Sequence, residues 1–286
     1  MTPGQEARRP AGVRGYANPA LLWSPETLKH RLGAPGLAVV DIRRAEAFAR
    51  GHIPGARHFD VYFVNTYDTD PAPLASFTRM WADLLGWRGV GPGDTVVFAG
   101  QFSDMSAARG FWFAEYLGHR DVHVLDGGMD AWRAAGLPEE RDGEAPEPVK
   151  YAYDAVEARV AGYRHVLDGM DDAGTVIVDT RSPEEYRGTD VRAARGGAVP
   201  GAVHRDWVDL YDHASGCMRP AADLRRAFES VGATPDKQII VYCNTGYRSA
   251  HAYLALRLLG YPRVRNYVSS WQEWAARPEL PVRRPD

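Results

Sequence analysis

Ile239-Ile240-Val241-Tyr242-Cys243-Asn244-Thr245-Gly246-Tyr247-Arg248-Ser249 decides how the rest of the chain is read. Four apolar residues lead into a lone cysteine. A polar loop follows, and then a helical pattern from Ala250 to Leu259 that stops at Gly260. The stretch reads as strand, short loop and helix, with Cys243 at the strand tip. Consecutive backbone N–H groups in such a loop converge on a concavity, and the helix start adds partial positive charge. A thiolate there is stabilised and becomes a nucleophile. The same donors hold an incoming anion, and Arg248 adds a charge that forks onto an oxyanion. A buried, inert cysteine at a strand end is the plainer alternative.

Working outward, the same plan occurs twice. Leu37-Ala38-Val39-Val40-Asp41-Ile42-Arg43 and Thr175-Val176-Ile177-Val178-Asp179-Thr180-Arg181 read as buried strands with matching Asp-x-Arg ends. The turn Gly51-His52-Ile53-Pro54-Gly55-Ala56 is matched by Gly197-Ala198-Val199-Pro200-Gly201-Ala202. Thr95 to Phe98 mirrors Ile239 to Tyr242. The helix stops Gly118 and Gly260 are 142 residues apart, as are Trp132 and Trp274. Half the chain length is too long for a solenoid repeat, so this is a duplicated domain. Alternating strands and helices predict an α/β fold, with a mainly parallel sheet flanked by helices on both faces in each half. Ligands gather at the carboxyl ends of such strands, where Cys243 stands.

The expected layout is a poorly ordered arm at 1–19, a first domain at 20–137, a linker at 138–150 rich in Pro and charge, and a second domain at 151–286. The counterpart of Cys243 in the first half is Gly100 or Gln101, so chemistry belongs to the second half. The chain has 286 residues, 34 basic and 37 acidic side chains, and a net charge of −3, which gives no basic footprint for nucleic acid. No stretch approaches a membrane span. Two cysteines, Cys217 and Cys243, make no disulfide framework, and no Cys/His spacing suits a metal. With no export signal read in the first 25 residues, a reducing, cytoplasmic setting is expected.

These motifs, with the closing Ser270-Trp271-Gln272-Glu273-Trp274, resemble the tandem-domain rhodanese-like sulfurtransferases over roughly residues 20 to 280. The resemblance implies a first domain without catalytic cysteine and a catalytic second one. It also implies that Cys243 accepts a sulfane sulfur as a persulfide and passes it to cyanide, a thiol or a protein acceptor, with no cofactor. Three donor readings stay open: thiosulfate, 3-mercaptopyruvate, or a protein in a sulfur relay with little turnover of small donors. An arginine inside the loop favours thiosulfate. A mercaptopyruvate clamp arginine is expected six residues after Asp179, where Glu185 stands, and Arg187, Arg192 and Arg195 in the insertion around 188–196 are the substitutes. Phosphatases are the rival chemistry, but they space Cys-x5-Arg, and here Arg248 is one residue closer.

Cys243 is thus the expected nucleophile and Arg248 the expected donor-binding residue, with Asn244, Thr245, Gly246 and Tyr247 forming the cradle. Asp179, Arg181 and Asp60 are expected as supporting residues. Ser249 reads as the helix N-cap, Trp271 and Trp274 as core, and Cys217 as a bystander in a Gly/Ser loop.

Overall fold

The computed structural model describes residues 11–62, 64–143 and 145–285. It contains two five-stranded sheets, one from each half, and every strand pair in them is parallel. The first sheet holds β1 (Leu22–Trp23), β2 (Leu37–Asp41), β3 (Arg57–His58), β4 (Thr95–Ala99) and β5 (Val122–Leu125), in the order β1-β5-β4-β2-β3. The second holds β6 (Val160–Ala161), β7 (Thr175–Asp179), β8 (Val203–His204), β9 (Gln238–Tyr242) and β10 (Val264–Tyr267), in the order β6-β10-β9-β7-β8. The two orders are identical, as a duplication requires. The central strands β2, β4, β7 and β9 are nearly continuous apolar runs because helices cover both faces.

Register resolves the repeat. Asp41 pairs with Ala99 at the end of β4, and Asp179 pairs with Tyr242 at the end of β9. Gly100 is therefore the counterpart of Cys243. The first-domain loop is filled by a side chain of its own. The Asp104 carboxylate accepts the N–H groups of Gln101, Ser106 and Ala107 at 2.9, 2.8 and 3.0 Å, and a Cβ on Gly100 would overlap it.

The helices in chain order are α1 (Pro25–Arg31), α2 (Ala45–Arg50), α3 (Pro71–Gly86), α4 (Met105–Tyr116), α5 (Gly128–Ala134), α6 (Tyr163–Met170), α7 (Pro183–Arg187), α8 (Ala221–Glu229), α9 (Tyr247–Leu258) and α10 (Ser270–Ala276). Ser24 caps α1 through the amide of Thr27, with Pro25 at the first turn. The equivalent helices α4 and α9 pack on each other and join the halves. Phe111, Trp112 and Phe113 on one and Tyr253, Leu254 and Leu256 on the other are buried in one continuous core. Each such side chain contributes about 1.5–3 kcal/mol relative to exposure. This explains why α9 is buried nearly all round rather than along one stripe.

Two expected boundaries differ. Residues 1–10 of the expected arm lie outside the described residues, but 11–19 are docked rather than poorly ordered. Arg14 and Tyr16 are buried, Arg14 bonds the Met218 carbonyl at 2.8 Å, and Tyr16 bonds that of Arg219 at 2.6 Å. The arm thus straps the first domain to the second, and its polar composition concealed these two anchors. The expected linker is likewise held. Glu140 bridges His52, the Pro138 carbonyl accepts Trp132 Nε1–H at 2.8 Å, and Val149 N–H reaches Gly86. The chain then follows the first domain as far as Val156, whose N–H bonds the Tyr116 carbonyl at 2.7 Å. The second sheet begins only at Val160.

Among the described residues no helix is long and apolar enough to cross a membrane, and no cluster of His, Cys, Asp or Glu is arranged to hold a metal.

Candidate active site

Cys243 follows the last residue of β9, and the loop turns into α9 at Gly246. Gly246 is the helix N-cap at φ +84°, a conformation that favours glycine. A Cβ there would also collide with the Val268 carbonyl and with Arg109. Gly246→Ala is therefore expected to destabilise the fold by about 1–3 kcal/mol and to slow sulfur loading of Cys243. Urea unfolding and a timed intact-mass assay check the two effects.

The loop is pinned from below by the turn before α10. Cys243 N–H donates to Ser270 Oγ at 3.0 Å, Ser270 Oγ donates to the Tyr267 carbonyl at 2.7 Å, and the Cys243 and Asn244 carbonyls accept the N–H groups of Trp271 and Gln272. Ser270 holds φ +53° and is the one non-glycine with positive φ among the described residues. Its first-domain counterpart is Gly128 at φ +55°. A serine accepts this strained backbone because its hydroxyl is needed beneath Cys243.

The Cys243 thiol is 1% exposed. Its Sγ accepts the Gly246 N–H at 3.1 Å and faces the Ser249 hydroxyl at 3.6 Å. Burial pushes the thiol pKa up, but the Arg248 charge, the Ser249 amide and hydroxyl and the Thr245 amide outweigh it, so the thiol titrates below its ordinary value. A thiol whose pKa is drawn down in this way loses its proton more readily than a free cysteine, which is what a sulfur nucleophile requires.

Arg248 is not free. Both its terminal nitrogens fork onto Glu185, with Nη2 at 2.9 Å from Oε1 and Nη1 against Oε2. Glu185 is 2% exposed, and its own carboxylate is held charged against burial chiefly by Arg248. The position where a clamp arginine was expected thus carries the acid that orients Arg248. Of the substitute arginines, Arg192 reaches the cleft and stands 4.0 Å from Glu185, while Arg195 is engaged with the carbonyls of Trp274, Ala275, Arg277 and Leu280.

Cys243 opens onto a cleft of about 490 Å³ between the domains. The first domain contributes Tyr62, Asn65, Tyr67 and Met105, and the second contributes Arg192, Trp207, Gln272, Asn244, Thr245, Tyr247 and Arg248. Tyr247 is buried, and its hydroxyl donates to the Val61 carbonyl, which ties the loop to the first domain.

The other expected residues lie elsewhere. Asp60 does not line the cleft. Its carboxylate accepts the Tyr62 N–H at 2.9 Å and so shapes the segment that does. Asp179 and Arg181 pair with each other in the core, as Asp41 and Arg43 do, and Arg181 stacks on Trp271. They brace the sheet end and do not meet the sulfur. Trp271 and Trp274 are core. Ser249 is not the N-cap. It is the third residue of α9, turned back toward Sγ and bonded to Asn266 Oδ1 at 2.6 Å. Asn266 also donates to the Gly246 carbonyl at 3.1 Å. Cys217 is buried by a different cavity, and burial beside Asp126 pushes its thiol up to about 12.

The sequence profile of the rhodanese-like domain matches residues 24–135 and again 164–277. This chain belongs to the rhodanese family. It is 37% identical to the thiosulfate sulfurtransferase of Azotobacter vinelandii over 268 residues, covering 93% of this chain and 98% of that one. It is 32% identical over 283 residues to the sulfur carrier protein TtuD of Thermus thermophilus, covering 94% and 98%. Its fold matches the crystal structure of SseA from Escherichia coli, a work on 3-mercaptopyruvate sulfotransferases, with a TM-score of 0.74 and 24% identity over 88% of this chain and 99% of that one. The two matches to one domain model agree with the repeated strand order of the two sheets.

Proposed function

We propose that thiosulfate is the sulfur donor of this sulfurtransferase and that Cys243 carries the sulfur. The observation that carries this reading is the thiolate site itself: a buried Sγ under the Gly246 amide, beside an arginine fixed by Glu185, at the floor of an interdomain cleft. The thiolate attacks the outer sulfur of thiosulfate. A Cys243 S–S bond forms, the thiosulfate S–S bond breaks, and its electron pair leaves on sulfite. The persulfide keeps the negative charge, which the loop amides stabilise between half-reactions. Cyanide or a thiolate then attacks the terminal sulfur, leaves as thiocyanate or a persulfide, and restores the Cys243 thiolate. Two displacements through one nucleophile give ping-pong kinetics. Arg248 and Arg192 attract the dianionic donor, and Glu185 keeps Arg248 from closing on the sulfur.

The setting we propose is cytoplasmic, where a free thiol stays reduced. Similarity to a sulfur carrier protein favours a second outlet, in which a partner protein takes the sulfur from the same persulfide. Intact mass after brief incubation with thiosulfate or with mercaptopyruvate tests the donor. One added sulfur, mapped to Cys243, is expected from thiosulfate. An adduct from mercaptopyruvate alone would reassign the donor and make Arg192 a carboxylate partner. No adduct from either would leave protein-to-protein relay.

A further inference from the structure

Arg109 lies on α4, in the domain without a nucleophile, and is fully buried in the α4–α9 contact. Among the described residues none of its three guanidinium nitrogens has a hydrogen-bond partner. Its central carbon sits 4.6 Å from the ring centroid of Tyr247, 5.1 Å from that of Phe113 and 5.5 Å from that of Trp112. Nη1 rests against Gly246, leaving no room for a Cβ. A buried charge without a counter-ion is strongly unfavourable, and aromatic faces recover only part of that cost. The loop that Arg109 touches carries the anion that would balance it. The amide of Gly246, the residue whose missing Cβ makes room for Nη1, donates to Cys243 Sγ at 3.1 Å.

We propose that Arg109 is a positioning residue of the catalytic centre, a cation lent by the nucleophile-free domain that balances the anionic sulfur on Cys243 and holds Gly246 and Tyr247 in place. The proposal rests on Cys243 being the reactive sulfur, and it gives the domain without a nucleophile a part in the site. Burial draws the Arg109 pKa down, while Tyr247 and Cys243 act in the opposite direction. The other titratable or charged groups facing this centre are Arg248, its partner Glu185, Tyr247 and, from the cleft walls, Arg192, Tyr62 and Tyr67. They stay unchanged in the test.

The test is the rate of iodoacetamide alkylation at Cys243 of the full chain across pH, read by peptide mass so that Cys217 does not interfere, together with thermal melting. In Arg109→Met the midpoint of the alkylation profile is expected to rise by about one pH unit, which is a tenfold lower thiolate fraction below both midpoints. The melting temperature is expected to hold or rise, because an unpaired buried charge has been removed. Arg109→Lys, which keeps a charge but not the flat stacking, is expected to fall between. An unmoved midpoint in folded Arg109→Met overturns the proposal, as does a loss of melting temperature with an unmoved profile. If Arg109→Met does not fold, Arg109→Gln is judged by the same criteria. Failure of both to fold makes the residue structural and overturns the proposal. A wild-type Cys243 that resists alkylation at every pH sinks the sulfur-carrier reading itself, a result distinct from all of these.

Discussion

Cys243→Ser is expected to abolish persulfide formation and to lower sulfur transfer by on the order of 10⁴-fold or more, the scale of losing a covalent nucleophile. The fold should hardly notice. The site is 1% exposed, the change is close to isosteric, and a serine hydroxyl can accept the Gly246 N–H that now reaches Sγ. A stability change within about 1 kcal/mol is expected. Intact mass after thiosulfate should show no added sulfur, and denaturant midpoints should match the parent. Residual turnover at a tenth of the parent rate would place the carrier sulfur elsewhere, with Cys217 the remaining thiol.

Arg248→Ala is expected to cause two separable losses. The first is stability: Glu185, 2% exposed, loses its bidentate partner and keeps, among the described residues, only the Ser182 N–H at 3.2 Å and the more distant Arg192 at 4.0 Å, a change worth up to about 3–5 kcal/mol. The second is electrostatic: the largest influence lowering the Cys243 pKa is removed, so the thiol should titrate higher. The sign follows from linkage. The folded thiol now titrates below the unfolded one, so its charge stabilises the fold above the unfolded thiol's range, and that contribution is lost as pH falls through the folded value. Arg248→Ala should shrink this contribution and move the alkylation profile to higher pH. Adding Glu185→Gln removes the poorly paired carboxylate, so the double variant should regain much of the stability and none of the thiol shift. Denaturant titration and pH-dependent alkylation of the two variants measure both quantities. A double variant that recovers the parent profile would show that Arg248 acts only as a structural partner of Glu185.

Much of this architecture is legible in the chain. The apolar run into Cys243 and the helix stop at Gly260 mark one strand and one helix, and their echoes at Thr95 and Gly118 reveal the duplication. What stayed hidden is long-range or very short. Glu185 and Arg248 are 63 residues apart, and although the sequence shows an acid where a clamp arginine is expected, nothing local pairs that acid with Arg248. β1 and β6 are two residues each, too short to show any period. Ser249 reads as a cap because hydroxyls commonly end helices, yet Gly246 takes that role through its left-handed backbone and frees the serine for Sγ and Asn266. The Arg109 contact was invisible because it joins the two copies of one helix, and packing between repeats leaves no mark within either.

Asp104 sets the two copies of the loop apart. In one copy the amide cradle waits for a sulfur anion, and in the other a resident carboxylate occupies it. That carboxylate also excludes a side chain at Gly100. Regaining a cysteine at that position would meet a blocked cradle, and losing the acid alone would empty it without supplying a nucleophile. A second thiol site in the first domain would therefore need both positions changed together. The copy is left free to specialise as the wall and the ballast of its twin.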